Sequence, residues 1–326
     1  MATMNAVVLE RSGPPDVLEY RRVPRPEPTA AQVLIRVRAF GLNRSELFTR
    51  QGHSPGVRLP RILGIEAVGT VEAAPGGQFR PGQTVATVMG GLGRAFDGSY
   101  AEYTCVPATQ VVALTTALDW AQFGALPELL QTAWGSLKTA LDVRAGQTLL
   151  IRGGSTSVGL MAAQLARHFG LTVLATTRNP AKTARLLQAG AHHVLLDEGT
   201  LAPQIRQLFP SGVDRVLELV GITTLADSLA ATARHGVVCM AGMVGNAWTW
   251  PDFEPMMAIP STVRLTTYSG DVADFLSTPL RWFADEVAAG RQSALLDRTF
   301  AFDQLVEAHG YLEANEATGK VVVLVG

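Results

Sequence analysis

The spacing of apolar residues changes character near Ala113. Before that point, Gln32–Ala39 (QVLIRVRA) alternates apolar and polar residues, the signature of a strand with one face on a core. Asn5–Leu9, Gly64–Glu72, Gln83–Met89 and Gly98–Val106 read as further strands. Gly41–Glu46 turns into a short helix running to about Arg50, and Gln51–Arg61 is a Gly/Pro loop. Arg11–Pro28, rich in proline and charge, reads as turns and extended surface chain. Short strands joined by Gly/Pro turns suggest a small irregular barrel.

From Ala117 to Leu141 the chain is helical and studded with Ala, Leu and Trp. A unit of another kind follows. Thr148–Ile151 is an apolar run of the type buried on both faces of a sheet, Gly153 and Gly154 follow at once, and Leu160–Phe169 reads as a helix stopped at Gly170. Leu171–Thr176 is a second apolar strand. Helices at Pro180–Ala189, Ala202–Phe209 and Leu225–Ala233 then alternate with strands at Val194–Leu196, Val213–Val220, Gly236–Ala241 and Val263–Tyr268. Strand–helix alternation at this spacing means a doubly wound parallel sheet in an α/β fold. After Gly270 the pattern predicts a long amphipathic helix (Val272–Ala289), a helix at Phe302–Glu313 and a final strand, Lys320–Val325.

Strand, glycine turn, helix, strand is the unit that binds a dinucleotide pyrophosphate. Gly153 and Gly154 allow a sharp turn, Ser155, Thr156 and Ser157 lie in its middle, and Val158 and Gly159 open the helix whose free N–H groups face negative charge. The turn is not a clean G-x-G-x-x-G, and an ordinary tight strand-to-helix turn is the competing reading. The end of the second strand sharpens the choice. An acidic residue about 20 residues beyond the glycines takes the ribose hydroxyls of NAD. Here the stretch Ala175–Lys182 (ATTRNPAK) holds no acid. Arg178 offers a planar donor fork for a phosphate, Lys182 a nearby positive charge and Thr177 a hydroxyl, which points to the 2′-phosphate of NADPH. The plainer alternative is a helix start, with Asn179 as N-cap, Pro180 in the first turn and Lys182 facing water.

At 326 residues the chain is long enough for two domains, and 47% hydrophobic against 17% charged residues fits a compact protein. A formal net charge of −1 gives no reason to expect nucleic acid or an anionic membrane as partner. Two cysteines far apart, Cys105 and Cys239, supply neither a zinc cluster nor a disulfide framework. Met1–Leu9 lacks a basic segment before an apolar core, and no apolar stretch approaches membrane-spanning length, so a cytoplasmic enzyme is expected.

Several segments in order carry a family resemblance: GLNRSELFTRQG (Gly41–Gly52), LPRILGIEAVGTV (Leu59–Val71), GSYAEY (Gly98–Tyr103), LQTAWGSL (Leu130–Leu137), IRGGSTSVGLMAAQLAR (Ile151–Arg167), LELVG (Leu217–Gly221), CMAGMVG (Cys239–Gly245) and GKVVVLV (Gly319–Val325). Over essentially its whole length the chain resembles the zinc-independent medium-chain dehydrogenase/reductases, in particular their NADPH:quinone oxidoreductase branch. The resemblance implies a GroES-like β-rich catalytic domain (1–116), a Rossmann NADP-binding domain (117–269) and a C-terminal segment (270–326) returning to the first, with the active cleft between the domains. It also implies a homodimer paired through the edge strand Val263–Tyr268.

The resemblance carries site residues over one at a time. Asn43 matches the family's active-site Asn, near the nicotinamide and able to donate to a substrate carbonyl; the competing reading is a turn Asn that satisfies backbone. Thr132 matches a Thr near the nicotinamide carboxamide, or else is a mid-helix hydroxyl bonded to its own backbone. Gly153, Gly154, Val158 and Gly159 match the pyrophosphate turn, with Thr156 where the family usually has glycine. Gly242 and Val244 fall where relatives line the cofactor. Arg50 matches a recurrent Arg, or is a helix-surface charge. Trp248, Trp250 and Phe253 are either walls for an apolar substrate or packing. Zinc-dependent relatives have a cysteine at the position of Asn43 and a histidine at that of Ile65, so no zinc is expected. A tyrosine common beyond the first helix is replaced by Gly52-His53-Ser54-Pro55, where His53 or Ser54 could donate a proton instead. The implied activity is NADPH-dependent reduction of a quinone or conjugated carbonyl. An alkenal or enoyl-thioester reductase and a non-catalytic NADPH-binding protein remain open.

Overall fold

The computed structural model describes residues 2–326. Its contacts divide the chain into two compact units, residues 2–128 with Asp271–Gly326, and Leu129–Gly270. In chain order come β1 (Thr3–Leu9), β2 (Leu18–Pro24), β3 (Gln32–Gly41), α1 (Arg44–Gln51), β4 (Arg61–Ile62), β5 (Glu66–Ala73), β6 (Thr84–Val88), β7 (Tyr103–Pro107), β8 (Val111–Ala113), α2 (Trp120–Gly124) and α3 (Pro127–Gly135). The middle section runs β9 (Thr148–Arg152), α4 (Ser157–His168), β10 (Thr172–Thr177), α5 (Thr183–Gln188), β11 (His193–Leu196), α6 (Ala202–Leu208), β12 (Val213–Glu218), α7 (Ile222–Ala230), β13 (Thr232–Met240), α8 (Pro255–Ala258) and β14 (Arg264–Thr267). The chain closes with α9 (Val272–Ser277), α10 (Leu280–Ala288), β15 (Leu296–Ala301), α11 (Leu305–Glu313) and β16 (Lys320–Leu324).

The first unit holds a three-stranded sheet, β2-β1-β4, and a seven-stranded sheet in the order β15-β16-β3-β5-β6-β8, with β7 also on β3. β3 is central because it feeds two cores. Val33 and Ile35 pack with Val71, Val85 and Val106, while Val37 and Phe40 join Val7, Tyr100, Val321 and Val323. The β3–β5 register shifts around Val37, and there Gly69 lets the strands close up: a Cβ would lie 2.1 Å from the Arg36 carbonyl oxygen. α2 belongs to this unit, since a Cβ at Gly124 would meet the Ala39 Cβ at 2.8 Å. The division into two compact units falls after Glu128.

The second unit is one parallel sheet in the order β11-β10-β9-β12-β13-β14. Strand order reverses beside β9, so the crevice at the carboxyl ends of β9 and β12 is a topological switch point, where such sheets bind ligands. β9 is apolar through Ile151 because it is covered on both faces, and Leu149, Leu150 and Ile151 are fully buried. α4 lies on β9 and β10, and among its buried residues Gly159, Ala162, Ala163 and Ala166 are small enough to let helix and sheet approach.

The structure departs from the hydrophobic pattern at sheet edges. β2 lies within the stretch read as turns, and β15 was not indicated. Each pairs with one strand and faces solvent along most of its length, so neither shows regular alternation. The long helix expected over 272–289 is two. Asp271 caps α9, accepting from Asp274 N–H at 3.0 Å, and Thr278 turns extended (ψ 130°) before Pro279. Gly98–Glu102 is not a regular strand: Ala101 alone bridges to Ala6, and at Gly98 the chain runs so close to β4 and the turn after it that a Cβ would lie 2.3 Å from the carbonyl oxygens of Leu63 and Gly64.

Candidate functional site

In the second unit the loops at the carboxyl ends of β9, β10, β12 and β13 converge. Gly153 turns the chain at φ 78°, a conformation that favours glycine. A Cβ on Gly159 would lie 2.6 Å from the Gly154 carbonyl oxygen, so the helix start can close on the turn only without a side chain. Thr156 stands in the middle of the turn. It is the N-cap of α4 in extended geometry (φ −75°, ψ 161°), and its hydroxyl accepts from Gly159 N–H at 3.0 Å. The first-turn N–H groups of Ser157 and Val158 have no intrahelical acceptor and carry the helix's positive end.

Of the neighbouring candidates, Thr177 touches this turn. Thr177 donates to the Ser155 hydroxyl at 3.4 Å and accepts from Asn179 N–H at 3.1 Å. Arg178 follows, exposed at the end of β10. Asn179 caps a short 3-10 turn by accepting from Ala181 N–H at 2.9 Å, as the helix-start reading of this stretch expects, and Lys182, half-buried, ends that turn. Gly242 and Val244 lie against the loop after β12, with Val244 N–H donating to the Leu219 carbonyl at 3.2 Å. A Cβ at Gly153 would lie 3.2 Å from Val220 in the same loop, which ties the two halves of the crevice together. Thr132 sits half-buried on α3, one turn ahead of the π-turn Ser136–Ala140.

Asn43 lies in the first unit and begins α1, but its side chain makes no cap. The amide nitrogen donates to Glu66 Oε1 at 3.0 Å, with longer contacts to Glu46 (3.4 Å) and the Gly41 carbonyl (3.5 Å). Its oxygen accepts from the Lys320 ammonium. Lys320, 1% exposed, also meets Glu66 at 2.8 Å and Glu128 at 3.4 Å. Burial opposes the ammonium, yet Glu66 and Glu128 more than offset this and hold its pKa above the ordinary value. Glu46 is treated differently. Burial pushes it up to about 8, and Glu66 adds to the rise, so it carries a proton at neutral pH. Glu46, Glu128 and Lys320 were not singled out from sequence. The available signal was a lone charge in an otherwise apolar strand, as in Gly319–Val325 (GKVVVLV). Among the described residues no group of three or more His, Cys, Asp or Glu is placed to hold a metal ion.

Arg50 is no surface charge: it is fully buried, ion-paired with Glu313 at 2.6 Å. His53 is exposed, and Ser54 is hydrogen-bonded to Thr49 at 2.8 Å. Trp250 packs against the core of the second unit, whereas Trp248 and Phe253 are exposed.

Comparison with known proteins fits both units. Residues 29–116 match the alcohol dehydrogenase GroES-like domain, and residues 157–276 match the zinc-binding dehydrogenase family. The human quinone oxidoreductase is 29% identical, covering 98% of each chain. The solved quinone oxidoreductase of Coxiella burnetii is 26% identical with a TM-score of 0.86, covering 100% of both chains. A mycobacterial protein solved as a complex with NADPH is 28% identical with a TM-score of 0.85, covering 98% of this chain and 99% of its own. Domain pair, sheet order and full-length similarity agree, and the chain belongs to the zinc-independent quinone oxidoreductase branch of the medium-chain dehydrogenase/reductases.

Proposed function

We propose that this protein is an NADPH-dependent reductase of quinones and similarly conjugated carbonyl compounds, acting in the cytoplasm as a homodimer. The observation that carries the cofactor choice is Arg178, exposed beside the phosphate turn in a stretch, Thr177–Lys182, without a carboxylate. The acid after the next strand, Asp197, is bound by Arg152 at 2.8 Å through both oxygens. The turn suits a pyrophosphate because glycines keep side chains out of it and α4 presents unpaired N–H groups.

When bound, NADPH supplies the hydride, and the protein's part is position and electrostatics. Gly153, Gly154, Ser155, Thr156, Ser157, Val158 and Gly159 would hold the pyrophosphate, and Thr177, Arg178 and Lys182 the 2′-phosphate. Thr132, Gly242 and Val244 would line the nicotinamide end. Asn43 is held by Lys320 and Glu66, and its two long contacts are the ones a substrate carbonyl would displace. Water completes protonation. The homodimer is supported by β14, an edge strand paired on one side only, and the cytoplasmic setting by two free thiols, Cys105 and Cys239.

The test is NADPH and NADH oxidation with 1,4-benzoquinone, 9,10-phenanthrenequinone, an alkenal and a crotonyl thioester. Quinone turnover with NADPH preferred is expected, and Arg178→Ala raises the KM for NADPH roughly 10–100-fold while leaving that for NADH unchanged. Turnover of the alkenal or thioester alone, or cofactor binding with no turnover, overturns the quinone reading.

A further inference from the structure

Arg152 ends β9 directly before the phosphate turn and is fully buried. A guanidinium has five N–H donors, and here all are used. Nε and one terminal nitrogen clasp the two Asp197 oxygens at 2.8 Å each, and that nitrogen also donates to the Gly199 carbonyl at 2.8 Å. The other terminal nitrogen meets Asp227 and, at 3.5 Å, the Thr224 carbonyl. Burial disfavours the Asp197 carboxylate, but the Arg152 contacts outweigh it and hold its pKa below the ordinary value.

Asp197 also accepts from the Thr176 hydroxyl at 3.3 Å, and the oxygen of that hydroxyl accepts the Gly153 N–H at 3.0 Å. A buried charge is thus linked through two hydrogen bonds to the backbone of the turn. The consequence is directional. With Gly153 N–H turned inward to Thr176 and Gly159 N–H turned to Thr156, the outward donors at the turn are those of the helix start, Ser157 and Val158 among them. The Arg152 carbonyl accepts from Leu219 N–H at 3.0 Å, so the same residue anchors the opposite wall of the crevice.

We propose that Arg152, Asp197 and Thr176 form a positioning relay that fixes the phosphate turn by holding the Gly153 N–H inward, and that its effect falls on the pyrophosphate of NADPH and not on the 2′-phosphate. This rests on the NADPH reading above. Thr176→Val keeps the side chain's shape and removes the acceptor. By fluorescence titration its dissociation constant for NADPH rises about tenfold, while its affinity for adenosine 2′-monophosphate, which has no pyrophosphate, stays that of the wild type. In 31P spectra of bound NADPH the pyrophosphate resonances move and the 2′-phosphate resonance does not. Thr176→Ser restores both. Asp197→Asn, which keeps the Thr176 hydroxyl but weakens its hold, gives the same pattern at about threefold and serves if the valine variant does not fold. Unchanged NADPH affinity in either variant, or equal weakening of NADPH and adenosine 2′-monophosphate, overturns the relay. Failure of the wild type to bind NADPH overturns the cofactor reading itself.

Discussion

Glu46 and His309, both fully buried in the first unit, make opposite demands on pH. His309 sits 2.9 Å from the Tyr100 hydroxyl, and burial, with Arg50 nearby, lowers its pKa to about 3. The folded state then binds fewer protons than the unfolded chain between about pH 3 and 6.5, so this group makes stability rise with pH across that window. Glu46 is raised from 4.5 to about 8, so the folded state binds more protons between those values and stability falls as pH rises. Above pH 6.5 the glutamate acts without the histidine. Denaturant unfolding is expected to show a loss of roughly 1–2 kcal/mol between pH 6.5 and 8. Glu46→Gln, which keeps the acceptor for Ile65 N–H without a titrating proton, should flatten that decline; a decline that persists in the variant would assign it elsewhere.

At the scale of elements, α4 depends on how it starts. Thr156 is the residue that caps it, and the extended backbone there imposes no strain on a side chain. Removing the cap leaves Gly159 N–H without its acceptor. Thr156→Ala should lower unfolding stability by about 1 kcal/mol, and Thr156→Gly by only a few tenths, as measured in urea. Unchanged stability in Thr156→Ala would mean that the hydroxyl does not cap in solution. The elements that escaped sequence reading are those without a hydrophobic rhythm. β2 and β15 are exposed edge strands, and the α9–α10 break is set by one extended residue before proline within an apolar periodicity that runs through it.

At the scale of the whole molecule, β14 leaves one edge of the parallel sheet open, and an open edge is a template for another strand. Sedimentation equilibrium is expected to give twice the chain mass, and Thr267→Pro, which removes an N–H on the side of β14 away from β13, to shift the protein toward monomer. A wild-type monomer at micromolar concentration would refute the dimer. No helix among the described residues is long and apolar enough to cross a membrane.

Local chemistry made one part of this protein readable from its residues in order. The β9 turn, α4 and β10 are contiguous, so glycines, hydroxyls and Arg178 fall within a span that a strand–turn–helix–strand unit closes on itself. The surroundings of Asn43 are different. Glu46, Glu66, Glu128 and Lys320 come from α1, β5, α3 and β16, and only the tertiary fold brings the Glu66 and Glu128 carboxylates to one ammonium and Glu46 to Asn43. Likewise Arg152 reads in sequence as the end of an apolar strand, and becomes a fully engaged buried cation only once β11 and α7 deliver Asp197 and Asp227. Apolar periodicity records which face of an element is buried; which buried polar groups will find partners is settled by long-range packing, where burial makes every unpaired charge costly.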